Sequence, residues 1–155
     1  MAVTCSMDKS FKIWELVQEA GMEESAWNCR SSGSYKNSPA TAAEFATDGS
    51  LLAVSFGKVI TLWDPLTLTL EKTLYFSLSK LDLKSLNFTK DSLFLVAGSN
   101  THLYVWNMLT CSVWWSLPMR ISSISAEHGT TRFAVISGKS DNLQQSKPCS
   151  VLTIN

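Results

Sequence analysis

An all-β fold of repeated, four-stranded antiparallel units is predicted by three observations: short apolar runs bounded by turn residues, a recurring 43-residue spacing, and a composition rich in hydrophobic residues. Phe45 and Phe88, Asp48 and Asp91, Trp63 and Trp106, and Asp64 and Asn107 each stand 43 positions apart. Four anchors seldom share one offset by chance. A further copy of the end of the unit, Asp8-Lys-Ser-Phe-Lys-Ile-Trp14-Glu15, precedes Trp63 by 49 positions, the excess of six falling in the polar stretch Gln18 to Ser25.

The elements follow in order. The first unit supplies short strands up to Trp14 and an outer strand over Ala26 to Ser31. The second predicts strands at Ala40 to Phe45, Leu51 to Phe56, Val59 to Trp63 and Glu71 to Ser77. Asp48-Gly49 makes a turn in which glycine supplies a positive φ that other residues resist. The third unit predicts Lys84 to Phe88, Leu93 to Ser99, His102 to Trp106 and Cys111 to Leu117. The fourth predicts Ser122 to Ala126, Arg132 to Ser137 and Val151 to Ile154, with the polar insertion Lys139 to Pro148 as a loop. Leucines in Phe76 to Phe88 also fit a helical face, but alternation and the place in the repeat favour strands. A period of 43 agrees with the roughly 40–45 residues of a four-stranded β-propeller blade. Residues 1–155 are expected to form an open arc of about 3.5 blades, at approximately 1–31, 40–77, 84–117 and 122–154. Too few to close, they are expected to be a piece of a longer propeller, and alone to expose sheet edges and associate.

Hydrophobic residues make up 45% of the sequence and charged ones 17%, so most positions must enter buried or half-buried structure and bulk disorder is excluded. Thirteen Lys and Arg balance thirteen Asp and Glu. That balance, spread along the chain, gives no electrostatic footprint for naked nucleic acid. Cys5, Cys29, Cys111 and Cys149 form no closely spaced pair, so no zinc site or disulfide framework is predicted. The N-terminus lacks the basic residue and apolar core of a signal peptide, and no run approaches the roughly 20 apolar residues of a membrane span. The expected setting is intracellular and soluble.

Chemistry-bearing candidates are few. His102 and His128 have no Cys, Asp or Glu at a metal-ligand spacing and no partner arranged as nucleophile and base, so packing or surface roles are expected and no catalytic, metal or cofactor residue is assigned. Glu15, Glu19, Glu23 and Glu24 read as a solvated loop between strands. Trp114-Trp115 stands apart. Adjacent strand residues point to opposite faces, so both rings are not expected in one packing layer, and the exposed one is a candidate partner contact. Trp14, Trp63 and Trp106, at equivalent repeat positions, are expected in the core.

Asp48-Gly49-Ser-Leu-Leu-Ala followed by Trp63-Asp64 resembles the signature of WD-repeat proteins, with Trp106-Asn107 and Trp14-Glu15 as degenerate copies. The family's Gly-His dipeptide is missing. Its turn aspartate, six residues before the tryptophan, remains as Asp8, while Gly57 and Asn100 replace it elsewhere. The family's buried Asp-His-Ser-Trp network is therefore expected to be incomplete in every blade, leaving stability to apolar packing. Gly33-Ser-Tyr-Lys, Ala40-Thr41, Asp48 to Phe56, Thr61, Trp63-Asp64, Trp106 to Cys111 and Ala134 to Ser137 are further similar to a WD-repeat subunit of the small-subunit processome. That resemblance implies part of the second of two tandem propellers, in a non-catalytic nucleolar scaffold acting in pre-rRNA transcription and rRNA processing in ribosome biogenesis. Its implied partners are protein subunits of the UtpA complex, with indirect contact to pre-rRNA or snoRNA, and no membrane, cofactor or small-molecule substrate. The alternative is a generic WD-repeat adaptor for another complex, such as a ubiquitin ligase.

Overall fold

The structure, a computed structural model, describes residues 1–18, 25–76, 83–127, 130–137 and 149–154. Its strands form four antiparallel sheets arranged in sequence order as an open arc. Sheet one holds β1 (Ala2–Cys5), β2 (Ser10–Gln18) and β3 (Ser25–Ser34). Sheet two holds β4 (Ala40–Phe45), β5 (Leu52–Phe56), β6 (Val59–Trp63) and β7 (Leu70–Tyr75). Sheet three holds β8 (Leu83–Phe88), β9 (Phe94–Ser99), β10 (His102–Asn107) and β11 (Ser112–Pro118). Sheet four holds β12 (Ile121–Ala126), β13 (Arg132–Ser137) and β14 (Cys149–Thr153). The expected loop Lys139 to Pro148 lies outside the described residues.

Turn chemistry explains where the strands stop. Asp48 Oδ1 accepts from the Ser50 backbone N–H at 3.0 Å, and Gly49 takes φ 74°. After each of two repeat tryptophans a short side-chain acceptor closes the chain back on itself. Asp64 Oδ1 accepts from Leu66 N–H at 2.7 Å and Thr67 N–H at 3.1 Å, and Asn107 Oδ1 from Leu109 N–H at 2.9 Å and Thr110 N–H at 3.2 Å. These Asx turns end β6 and β10. Position 15 instead carries Glu, one methylene longer, and β2 runs on to Gln18, pairing Glu15 with Asn28 and Leu16 with Trp27. Glu15 therefore belongs to a strand, contrary to the loop expected for the acidic cluster. Glu19, Glu23 and Glu24 lie outside the described residues.

Two series of β-bulges repeat with the sheets. One inserts Thr41, Lys84 and Ser122 into β4, β8 and β12. The other inserts Arg30, Glu71 and Trp114 into β3, β7 and β11, beside the residue that pairs with each repeat tryptophan. Such extra residues sharpen local twist and redirect side chains.

Alternation divides each sheet into a face toward the preceding sheet and a face toward the following one. Trp63 and Leu52, a cross-strand pair of sheet two, face back onto Phe11 and Ile13 of sheet one. Trp106 and Leu95 repeat that pair and face back onto Ile60, Leu62 and Leu74. Facing forward, Ala53 pairs with Leu62 and Val96 with Val105, and both pairs are buried. The core is thus three apolar seams between sheets.

Polar groups in those seams fare unequally. In sheet two Trp63 Nε1–H donates to Thr61 Oγ1 at 2.7 Å, and that hydroxyl donates to the Val54 carbonyl at 3.0 Å. This relay replaces part of the missing family network. In sheet three Tyr104 occupies the position of Thr61, and Trp106 Nε1, Tyr104 OH and His102 Nδ1 are buried without a partner. An unsatisfied buried group costs about 1–3 kcal/mol. Tyr104→Phe is accordingly expected to raise the thermal midpoint, and Thr61→Val, which orphans Trp63 Nε1, to lower it. Circular dichroism melts of both variants check the pair; a drop for Tyr104→Phe would contradict the assignment.

Candidate interaction surface

β11 presents the two adjacent tryptophans. Trp115 pairs with Val105 on the face toward sheet four and packs, half-buried, against the Phe133 cluster. Trp114 is the bulged residue. It packs at a tilt against Phe94 with centroids 5.0 Å apart, and Phe94 packs against that same cluster. The two rings therefore share one side of the sheet, and the expectation of opposite faces fails because a bulge breaks the alternation. Trp114 remains 46% exposed, beside the exposed Val113 and Leu117 of the same outer strand. An aromatic of this size, held by a ring contact yet open to solvent, can give contact area at little entropic cost.

A second exposed pair went unseen in the sequence. Leu16 and Trp27 stand directly opposite each other in the extension of β2 and β3, 54% and 53% exposed. The signal was present as Leu16-Val17 directly after Trp14-Glu15, with no turn residue between. Arg30 approaches Glu15 at 3.9 Å, a distance that adds little at an exposed site.

At the end of the innermost strands β4, β8 and β12 lies a polar cavity of about 300 Å³, lined by Glu44, Thr47, Asn87, Lys90, Ser125 and Glu127 among others. Burial raises the Glu44 carboxyl above its usual range, opposed by a hydrogen bond from Asn87. Asn87 Oδ1 has no partner. A carboxyl whose pKa is raised in the fold favours folding when protonated, and that contribution is lost as pH rises through the folded value. Glu44→Gln is therefore expected to stabilise the protein at pH 7 and to lose this advantage in acid below the carboxylate range. Urea midpoints for the two proteins across pH test the sign.

His102 begins β10 and stacks on Tyr104 with centroids 5.6 Å apart. His128 lies outside the described residues. Cys5 is half-buried and burial pushes its thiol up to about 11, which makes it a poor nucleophile at neutral pH. Cys111 donates to the Met108 carbonyl at 3.2 Å, and Cys29 is exposed. Among the described residues no three His, Cys, Asp or Glu converge for a metal, and no helix is long and apolar enough to cross a membrane.

Successive antiparallel sheets of three or four strands, the second and third each presenting a repeat tryptophan to the sheet before it, define a WD-repeat β-propeller architecture. Over 99% of its length the chain superposes on 46% of a chain in the crystal structure of the mitotic checkpoint complex, with a TM-score of 0.72 and 15% identity, which shows the fold. Residues 1–150 match the family described as WD repeat-containing protein 75 second beta-propeller. The chain belongs to that family. It is 34% identical over 143 residues to human WD repeat-containing protein 75 and 33% identical over 141 residues to that of Danio rerio. These alignments cover 89% and 90% of this chain and 17% of each relative, so the chain spans about one sixth of their length.

Proposed function

We propose that this chain acts as a non-catalytic scaffold in the nucleolar small-subunit processome, serving pre-rRNA transcription and rRNA processing through contacts with protein subunits of the UtpA complex. The match of residues 1–150 to the second propeller of the family carries this reading. The surface agrees with it: solvent-facing aromatics on outer strands suit protein contacts, and the even balance of thirteen basic and thirteen acidic residues suits indirect contact with pre-rRNA or snoRNA better than independent RNA binding. Tagged chain expressed in nucleolus-containing cells is expected to concentrate there and to recover UtpA subunits together with the external transcribed spacer. Recovery of neither would sink the assignment, and recovery of a ubiquitin ligase in their place would favour an adaptor role.

Trp114 is the proposed anchor residue within this reading, with Trp115 beside it as its packed support. Truncating a hot-spot tryptophan costs 2 kcal/mol or more, and each 1.4 kcal/mol is a factor of about ten in affinity. Trp114→Ala is expected to reduce recovery of the protein partners at least tenfold while moving the melting temperature little. Trp115→Ala is expected to lower the melting temperature, because that ring packs in the seam. Equal recovery from wild type and Trp114→Ala would remove Trp114 from the contact.

A further inference from the structure

Three connections meet at one end of the seam between sheets one and two: residues 6–9 between β1 and β2, 35–39 between β3 and β4, and Gly57-Lys58 between β5 and β6. Ala40 N–H donates to the Ser6 carbonyl at 3.2 Å and Lys9 Nζ to Asn37 Oδ1 at 2.8 Å, while the Tyr35 ring lies 5.8 Å from that of Phe56, the residue before Gly57. Each connection contributes one lysine: Lys9, Lys36 and Lys58. Their one carboxylate is Asp8, whose Oδ1 is already taken by the Ser10 N–H at 2.9 Å and the Ser10 hydroxyl at 2.6 Å. Among the described residues none of the three lysines forms an ion pair. In a chain whose charges balance overall, this is a local excess of positive charge.

Lys36 is fixed at the centre. It and Asn37 take left-handed φ of 43° and 56°, and the Ser38 N–H donates back to the Tyr35 carbonyl at 3.1 Å, closing a type I′ turn. A lysine backbone resists that φ, and strain of this kind clusters at functional sites. Lys36 Nζ stands 5.1 Å from the Tyr35 ring centroid. Thr73 and Tyr75, two apart on β7 and opposite Thr61 and Val59, share the face turned toward sheet one, and Tyr75 is 63% exposed. Thr73 first, then Lys36 and Tyr75, donate toward the Tyr35 oxygen and hold that phenol below its usual pKa. Hydroxyl and ammonium donors thus converge on a point where negative charge is stabilised.

We propose that this end of the seam is a docking site for an acidic segment of a protein partner, one carboxylate seated against Lys36 Nζ and the Tyr35, Thr73 and Tyr75 hydroxyls and its neighbours meeting Lys9 and Lys58. A carboxylate fits these donors better than a phosphate, because phosphorylated motifs are read by clustered arginines and none of the three connections carries one. Single-stranded nucleic acid needs free aromatic faces on which bases stack, whereas the Tyr35 ring is occupied by Phe56 and Lys36. The site lies on sheets one and two and stands independently of the Trp114 contact on sheet three.

Fluorescence anisotropy of labelled hexaglutamate titrated with the 155-residue chain tests this. Wild type is expected to bind, and less tightly as salt is raised. Lys36→Gly is expected to weaken binding about tenfold, the worth of one charge-assisted hydrogen bond. It should not lower the melting temperature, because glycine accepts the φ of 43° that lysine resists. Lys36→Asn serves the same end should Lys36→Gly lose its β-sheet circular dichroism. Tyr35→Phe, which keeps the ring against Phe56 and removes only the hydroxyl, is expected to weaken binding about threefold. Lys72→Gln removes a positive charge from the other face of β7, where Lys72 pairs with Leu62, and is expected to bind as wild type does. No binding by wild type at low salt, equal weakening by Lys72→Gln and Lys36→Gly, or tighter binding of labelled oligouridylate than of hexaglutamate through the same residues would each overturn the proposal.

Discussion

Phe11→Ala is expected to destabilise the fold by about 3–5 kcal/mol, the range for truncating a fully buried aromatic. Phe11 has no exposed surface, and its ring lies 6.2 Å from that of Phe56 and 5.2 Å from that of Trp63, so one side chain of sheet one organises the seam with sheet two. Its cross-strand partner is Gly33, where an added Cβ would stand 2.5 Å from Phe11 Cζ. The ring thus fills the space that the glycine leaves, and alanine would leave a void that neither Gly33 nor the buried Ile13 can reach. Urea unfolding at one fixed protein concentration measures the loss, and hydrogen exchange should show sheet one opening first. A change under 1 kcal/mol would show that the seam is held by other contacts.

Gly98→Val is expected to be the second large effect, acting by overpacking. Position 98 faces sheet four, and a Cβ there would come within 2.5 Å of Ile121 Cγ2 and 2.8 Å of Ile124 Cδ1. Neither isoleucine can withdraw easily, because Cγ2 sits on the branched β-carbon and both side chains are buried in the seam with Phe133 and Val135. Overpacking of this kind costs about 1–3 kcal/mol, and the two extra methyl groups of valine place this substitution at the upper end. Gly98→Ala should cost less, and Ile121→Ala in the same chain should recover part of the loss, a coupling that a double-mutant cycle reads directly. Simple additivity of the two would mean that the predicted clash is absent.

Strand positions were largely legible because each unit alternates apolar residues over short runs and punctuates them with Asp, Gly and Asn. Trp63 and Trp106 were legible as core because the repeat placed both at one register position, whereas Trp14, expected there with them, is only half-buried. Less legible was Trp114-Trp115. The alternation rule assigns adjacent residues to opposite faces, but it assumes an unbroken ladder. The inserted residue at 114 repeats the bulge at Glu71 of the preceding sheet, and no residue type in either run announces it. The extension of β2 failed in the opposite way. Glu15 matched the repeat by position, yet its side chain makes no Asx turn of the Asp64 or Asn107 kind, and the strand did not stop.

Periodicity and turn chemistry are local properties, so the sequence by itself determined an all-β chain, its 43-residue unit and an arc of blades instead of a closed ring. Which polar groups are satisfied, which face a bulged tryptophan shares and which apolar pairs lie bare depend on what stands across a seam. Those partners are contributed by strands far away in the chain, and only the tertiary structure brings them together. Trp63 and Trp106 show the difference: one repeat position, one residue type, and a hydrogen bond in the first that the second lacks because Tyr104 replaced the threonine beside it.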